Sequence, residues 1–155
     1  MADSTIELVG DGDLADLLPL MRGYCDFYEV APSDESLLEL SRSLIEDPER
    51  EGVQLIARND RGTAVGFATI FLTWSTLQAA RIGVMNDLFV APHARGAGAG
   101  RVGEALIAAC ADACRAHGAV SLTWQTALDN ARAQALYDRV GAQPSKWLDY
   151  DLPVA

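Results

Sequence analysis

Between Asn86 and His117 the chain reads as an apolar strand, a turn of glycine and alanine, and a long alanine-rich helix, and this succession constrains the fold more than any other stretch. Phe89 and Val90 close a strand-like run that begins near Arg81, and Pro92 ends it. Arg95-Gly96-Ala97-Gly98-Ala99-Gly100-Arg101 then opens a helix that carries Val102, Leu106, Ala109, Cys110 and Ala113 at three- and four-residue spacing. The turn is therefore expected at a helix N-terminus, where backbone N–H groups lack intrahelical partners and the macrodipole is positive. Side chains no larger than a methyl let an anion approach that backbone, so a phosphate or pyrophosphate is the ligand such a turn suits.

Three phosphate-binding patterns compete. A P-loop needs Gly-Lys-Ser/Thr, whereas Gly100 is followed by Arg101 and Val102. A dinucleotide fingerprint wants its glycines after the first strand of a βαβ unit, and this turn lies late in the chain. The third pattern, Arg/Gln-x-x-Gly-x-Gly/Ala, is met by Arg95, Gly98 and Gly100, and it resembles the pyrophosphate signature of the GNAT superfamily of acyl-CoA-dependent N-acetyltransferases. Asn86-Asp87-Leu88-Phe89-Val90-Ala91-Pro92 is similar to that superfamily's fourth strand. Asp129-Asn130-Ala131-Arg132-Ala133-Gln134-Ala135-Leu136-Tyr137, followed by Gly141, is similar to its later helix. The resemblance runs from about Leu8 to Leu152, and Gly23 to Val30 also resembles the histone- and polyamine-acetyltransferase-like branch.

A chain of 155 residues can bury a core as one domain, here residues 1–155, without disulfides or metals. No uninterrupted run approaches the roughly 18 apolar residues of a membrane span. The N-terminus shows no basic stretch followed by an apolar one, so a cytoplasmic location is expected. A net charge of −10 argues against nucleic acid and anionic membranes as partners and suits a cationic substrate, although acidity also serves solubility. Cys25, Cys110 and Cys114 read as small buried residues, and no metal is expected.

In order, Asp11-Gly12-Asp13 starts a first helix with Leu14, Leu17, Leu18, Met21, Cys25 and Tyr28 on one face, shortened or kinked by Pro19. Ser33 to Glu46 is a second helix with Leu37, Leu40, Leu44 and Ile45 inward. Val53–Arg58 and Ala64–Thr73 form a hairpin across Asn59-Asp60-Arg61-Gly62, with Gly66 at a bulge or close approach. Arg81–Val90 is the next strand. Beyond the central helix, Val120–Gln125 returns parallel to it, Asn130 caps a last helix, Gly141 ends that helix, and Lys146–Leu152 makes a final strand. The order suits an α+β or α/β sandwich with a mixed, mostly antiparallel sheet and helices on both faces, the GNAT-like acyl-CoA N-acyltransferase fold with its splayed parallel strand pair.

The resemblance also implies a site. The pantetheine arm of acetyl-CoA would run along Leu88, Phe89 and Val90, with an N–H near Leu88 or Phe89 polarising the thioester carbonyl. The pyrophosphate would meet the amides of Gly96, Ala97, Gly98, Ala99, Gly100 and Arg101, with Arg95 or Arg101 adding charge. Asn130 and Ala133 match positions on the pantetheine or adenosine side. Tyr137 matches the tyrosine that gives a proton to the departing thiolate, the alternative being a tyrosine packed on the last helix that only lines the sulfur site.

Direct attack on a thioester needs a neutral amine, so a proton acceptor is required, and Asp87 is the nearest carboxylate, acting directly or through water. Related sequences often carry Glu where this one has Asn86, which leaves water or another group open as the base. Tyr24, Tyr28, Glu29 and Asp149 are the candidate acceptor-binding residues, and Trp74, Trp124, Trp147 and Tyr150 serve either that pocket, the core or a dimer interface. The expected activity is transfer of acetyl from acetyl-CoA to a primary amine of a small molecule such as a polyamine or amino acid, by a homodimer without metal. A protein lysine or N-terminal acceptor is the alternative, and a non-catalytic acyl-CoA sensor the alternative of another class.

Overall fold

The computed structural model describes residues 4–94 and 99–155, and its sheet grows outward from a hairpin that Asn59 shapes. The Asn59 carboxamide oxygen accepts from the backbone N–H of Arg61 at 3.0 Å and of Thr63 at 2.9 Å. Gly62 takes the left-handed φ of 79° that the turn needs. The strands so joined are β2 (Gly52–Arg58) and β3 (Ala64–Ser75), preceded by β1 (Thr5–Leu8) and followed by β4 (Ala80–Val90) and β5 (Leu122–Thr123). The sheet order is β1-β2-β3-β4-β5, antiparallel throughout except for the parallel pair β4–β5. The expected mixed, mostly antiparallel sheet is therefore found, with β1 as an additional edge strand.

Three helices cover this sheet: α1 (Leu14–Phe27), α2 (Asp34–Glu46) and α3 (Ala99–Ala116). Ile56, Phe67 and Phe89 stand opposite one another on β2, β3 and β4 and meet Leu17, Leu20 and Met21 of α1 in one buried cluster. Arg58 ties the start of α1 to β2 through ion pairs with Asp13 and Asp16, both at 2.8 Å. On the opposite face the sheet presents glycines to α3. A Cβ on Gly66 would approach Val102 and Leu106, and one on Gly83 would fall 2.3 Å from the Cys114 sulfur. Cys25, Cys110 and Cys114 are all buried thiols, as expected, and burial pushes that of Cys110 up to about 12.

Two helical faces differ from expectation. In α2 Leu40 is 37% exposed while Ser41 is fully buried, because the Ser41 hydroxyl finds an acceptor 3.6 Å away in the Met21 sulfur. In α1 Leu20 is buried and Tyr28 is about half exposed, since the helix ends at Phe27. Pro19 lies inside α1, which continues on both sides of it. Among the described residues no helix is long and apolar enough to cross a membrane.

The chain divides into two units, Met1–Gln125 and Thr126–Ala155. In the second, Asn130 caps α4 (Ala131–Arg139) by accepting from the Ala133 N–H at 3.1 Å, and Gly141 ends it at φ 81°, both as expected. The expected strand at Lys146–Leu152 is not formed among the described residues. Trp147, Tyr150 and Leu152 are more than four-fifths exposed, and the second unit holds no other strand to complete a ladder. Likewise the Val120–Gln125 strand contracts to Leu122–Thr123, the two residues that pair with β4.

Gly66 confirms both readings of its role: the β2–β3 register shifts beside it, between Ala57 and Arg58, and a Cβ there would lie 2.7 Å from the Phe89 carbonyl oxygen. That neighbour is sheet backbone and cannot swing aside. Gly66→Ala should therefore cost about 1–3 kcal/mol, seen as a lower urea midpoint at unchanged slope; an unchanged midpoint would refute the contact.

Candidate active site

A bulge in β4 builds the site. Thr69 of β3 pairs with Asp87, but the next β3 residue, Ile70, pairs with Met85, so Asn86 is an extra residue in β4. Its backbone carbonyl accepts the hydroxyl of Tyr24 from α1 at 3.2 Å, and its side-chain amide donates to Asp87 Oδ1 at 2.9 Å. Asn86, read from the sequence as a departure from Glu, thus serves as a donor to the neighbouring carboxylate.

Burial pushes the Asp87 carboxyl above its ordinary range, and hydrogen bonds from Thr69, Tyr24 and Asn86 pull in the opposite direction without cancelling it. Tyr24 responds in kind. Burial first, and the Asp87 charge second, raise its phenol far above the usual value, so it remains a proton-bearing donor. The arrangement is a carboxylate fed by donors at the edge of an apolar cluster, where burial raises its affinity for a proton.

Aromatic rings wall this carboxylate. Tyr24 stands edge-on to Tyr28, Phe67 and Phe89, with centroids 5.0, 5.9 and 6.3 Å away. Gly23, one residue earlier, lets α1 approach β4, since a Cβ there would sit 3.0 Å from the Phe89 ring. Tyr28 is about half exposed, and Glu29 follows it with a left-handed φ of 58°.

Of the sequence-predicted residues, the structure brings together Asp87, Tyr24 and Tyr28, with Glu29 adjoining them on the chain. Leu88, Phe89 and Val90 continue β4 beyond Asp87, with the Phe89 ring turned into the core. The parallel ladder to β5 comprises Gly83↔Leu122 and Val84↔Thr123, so β4 runs six residues past the last of these pairs. Ala99, Gly100 and Arg101 form the first turn of α3. Arg95, Gly96, Ala97 and Gly98 lie outside the described residues.

Asn130, Ala133, Tyr137 and Asp149 belong to the second unit, where the Asn130 cap occupies the Ala133 N–H and Tyr137 is half-buried on α4. Sequence reasoning missed Thr69 and the donor role of Asn86. A single polar residue within the apolar run Ala64–Leu72, Thr69 amid Phe67, Ala68 and Ile70, was the available signal.

Comparison with known proteins identifies the family. The model of the acetyltransferase (GNAT) family matches residues 17–142. The uncharacterized N-acetyltransferase YhfO of Bacillus subtilis (strain 168) is 36% identical over 129 residues, covering 83% of each chain. A crystal structure of a probable acetyltransferase superposes with a TM-score of 0.82 at 25% identity, over 97% of this chain and 98% of that one. The fold is shared as well with AAC(6')-Iy in complex with the bisubstrate analog CoA-S-monomethyl-acetylneamine, at a TM-score of 0.80 and 18% identity over 99% of both. With a five-stranded mixed sheet, a bulged fourth strand and a family match across most of its length, the chain belongs to the acetyltransferase (GNAT) family and is an acyltransferase.

Proposed function

We propose that this protein transfers the acetyl group of acetyl-CoA to a primary amine of a small molecule, by direct attack of the amine, within one domain spanning residues 1–155. The observation that carries the reading is the donor-fed, partly buried Asp87 on the bulged strand, immediately before Leu88–Val90. Acetyl-CoA supplies the activated thioester. Asp87, its proton affinity raised by burial, takes the proton that the ammonium form of the acceptor must lose, directly or through water. Main-chain groups of Leu88, Phe89 and Val90 hold the pantetheine arm. The amides from Gly96 to Arg101 hold the pyrophosphate, with Arg95 or Arg101 adding charge, and Asn130 and Ala133 lie toward the pantetheine or adenosine. Tyr137 gives its phenolic proton as the thiolate departs.

Tyr24, Tyr28, Glu29 and Asp149 bind the acceptor in this reading. Carboxylates at Glu29 and Asp149, in a chain of net charge −10, favour a second cationic group on it. The structural neighbour AAC(6')-Iy, an aminoglycoside N-acetyltransferase, supports a small-molecule acceptor by analogy of fold alone. A cytoplasmic homodimer completes the proposal, supported by the apolar residues Trp147, Leu148, Tyr150, Leu152 and Val154 exposed in the last segment. Light scattering should give twice the 16.6 kDa of one chain, and a monomer mass at micromolar concentration would refute the dimer.

Thiol release from acetyl-CoA across a panel of amines tests the activity. Asp87→Asn and Tyr137→Phe should each lower kcat by about 10²–10⁴ while coenzyme affinity stays within a few-fold. If either variant keeps kcat within about threefold, that residue carries no proton.

Glu29 gives a separate test, because a left-handed φ disfavours any residue but glycine. Glu29→Gly should raise stability by about 1 kcal/mol, or Tm by about 2–4 °C, and raise KM for dicationic acceptors more than for neutral ones. Equal KM changes for both would remove Glu29 from the acceptor site.

A further inference from the structure

We propose that Gln54 and Thr69 are positioning residues that direct a proton toward Asp87 and so keep it a carboxylate, through a single file of hydrogen bonds crossing three strands. The proposal rests on the reading of Asp87 as proton acceptor. Gln54 of β2 pairs in register with Thr69 of β3, and Thr69 pairs in register with Asp87 of β4. The three side chains therefore share one face of the sheet. Thr69 is fully buried and Gln54 is 3% exposed, so water does not compete for either.

The direction of the file follows from what each atom can do. Gln54 Nε2 donates to Thr69 Oγ1 at 3.1 Å and lies 3.7 Å from the Met21 sulfur, while Gln54 Oε1 is buried with no partner among the described residues. A thioether sulfur only accepts. Reversing the amide would set its oxygen against that sulfur and strand both N–H groups where Oε1 now stands. Met21 thus fixes the amide, and the amide fills the acceptor side of the Thr69 hydroxyl. The hydroxyl proton is left to point at its other partner, Asp87, which accepts fully only when ionised. An unpartnered carbonyl inside a core is unfavourable and an apolar residue would avoid it. Its presence is understandable if the N–H on the other side of the amide serves Asp87.

The groups that face Asp87 are Tyr24 and Cys25 from α1, Thr69 from β3 and Asn86 from its own strand. Burial keeps the Tyr24 phenol and the Cys25 thiol protonated, so neither brings a positive charge. Hydrogen-bond donors then carry the stabilisation of the anion, Thr69, Tyr24 and Asn86 among them.

Carbon NMR of protein labelled at the aspartate carboxyls reads the Asp87 titration directly. Thr69→Val, isosteric but without the hydroxyl, should raise the Asp87 midpoint by about one pH unit, a tenfold change in proton affinity. Thr69→Ser should restore it, and Gln54→Met, which offers no N–H, should raise it by a smaller amount. In the amine-acetylation assay Thr69→Val should lose about tenfold in kcat/KM below the midpoint and converge on wild type above it. A midpoint unchanged within about 0.2 units in folded Thr69→Val overturns the proposal, since a purely structural threonine would alter stability alone. Where that variant does not fold, an unchanged midpoint in Gln54→Met overturns it equally. If the midpoints move as expected but Asp87→Asn keeps its activity, the file exists and the base assignment fails.

Discussion

The pairing of Thr69 with Asp87, and the extra residue that follows in β4, is the constraint on which the site depends. A bulge adds one residue to one strand and bends it. Here that gives the Asn86 carbonyl to the Tyr24 hydroxyl, turning a local irregularity in the sheet into a tie to α1. The same bend sets Asp87 among Thr69, Tyr24 and Asn86, so strand geometry and proton chemistry are decided by one residue of register. Gly23 and Gly66 make the arrangement possible from the two faces. The first admits α1 close to the Phe89 ring, and the second lets β3 and β4 close around the Phe89 carbonyl.

A carboxylate held this way works against stability. Burial raises the folded value of Asp87 above its ordinary 3.8, so ionising it costs more in the fold than in the unfolded chain. The group therefore removes stability as pH rises from about 3.8 through its folded value. Asp13 has the opposite sign. The Gly10 N–H first, and the Arg58 guanidinium second, lower its value, so its contribution is present above 3.8 and lost as pH falls through the folded value. One carboxylate fastens the start of α1 to β2, while the other is held in the sheet against the cost of burying its charge.

Much of this was readable in the chain, because the signals were local. Asn59 and Gly62 announce the hairpin, Asn130 and Gly141 bound α4, and the spacing of Val102, Leu106 and Cys110 gives the buried face of α3. The bulge at Asn86 was not readable, since Asn86-Asp87, although unusual in a strand, does not locate an extra residue and register is set by the partner strand. Ser41 was missed for a related reason: its burial rests on the Met21 sulfur, 20 residues away in sequence. β1 was missed because four residues carry too little periodicity to stand out from a chain terminus. The strand expected at Lys146–Leu152 had suitable alternation, but alternation does not provide a neighbour to pair with.

Three helices of this chain end in the same hydrogen-bonded device, and only one breaks its usual rule. After α3, Gly118 takes φ 73° with its N–H on the Arg115 carbonyl and that of Ala119 on Cys114. After α4, Gly141 takes φ 81° with the N–H of Gly141 on Asp138 and of Ala142 on Tyr137. After α1 the same two bonds run from Glu29 to Asp26 and from Val30 to Cys25, but the left-handed residue is Glu29. Since glycine fills this position at the other two ends, the backbone supplies no reason for a glutamate here, and a strained residue at such a place is motivated by what its side chain does. Glu29 is exposed and follows directly on Tyr28, whose ring leans on Tyr24 above Asp87. A carboxylate at that point adds negative charge beside the Tyr28–Tyr24 pair, which ties the left-handed end of α1 to the neighbourhood of the bulged strand.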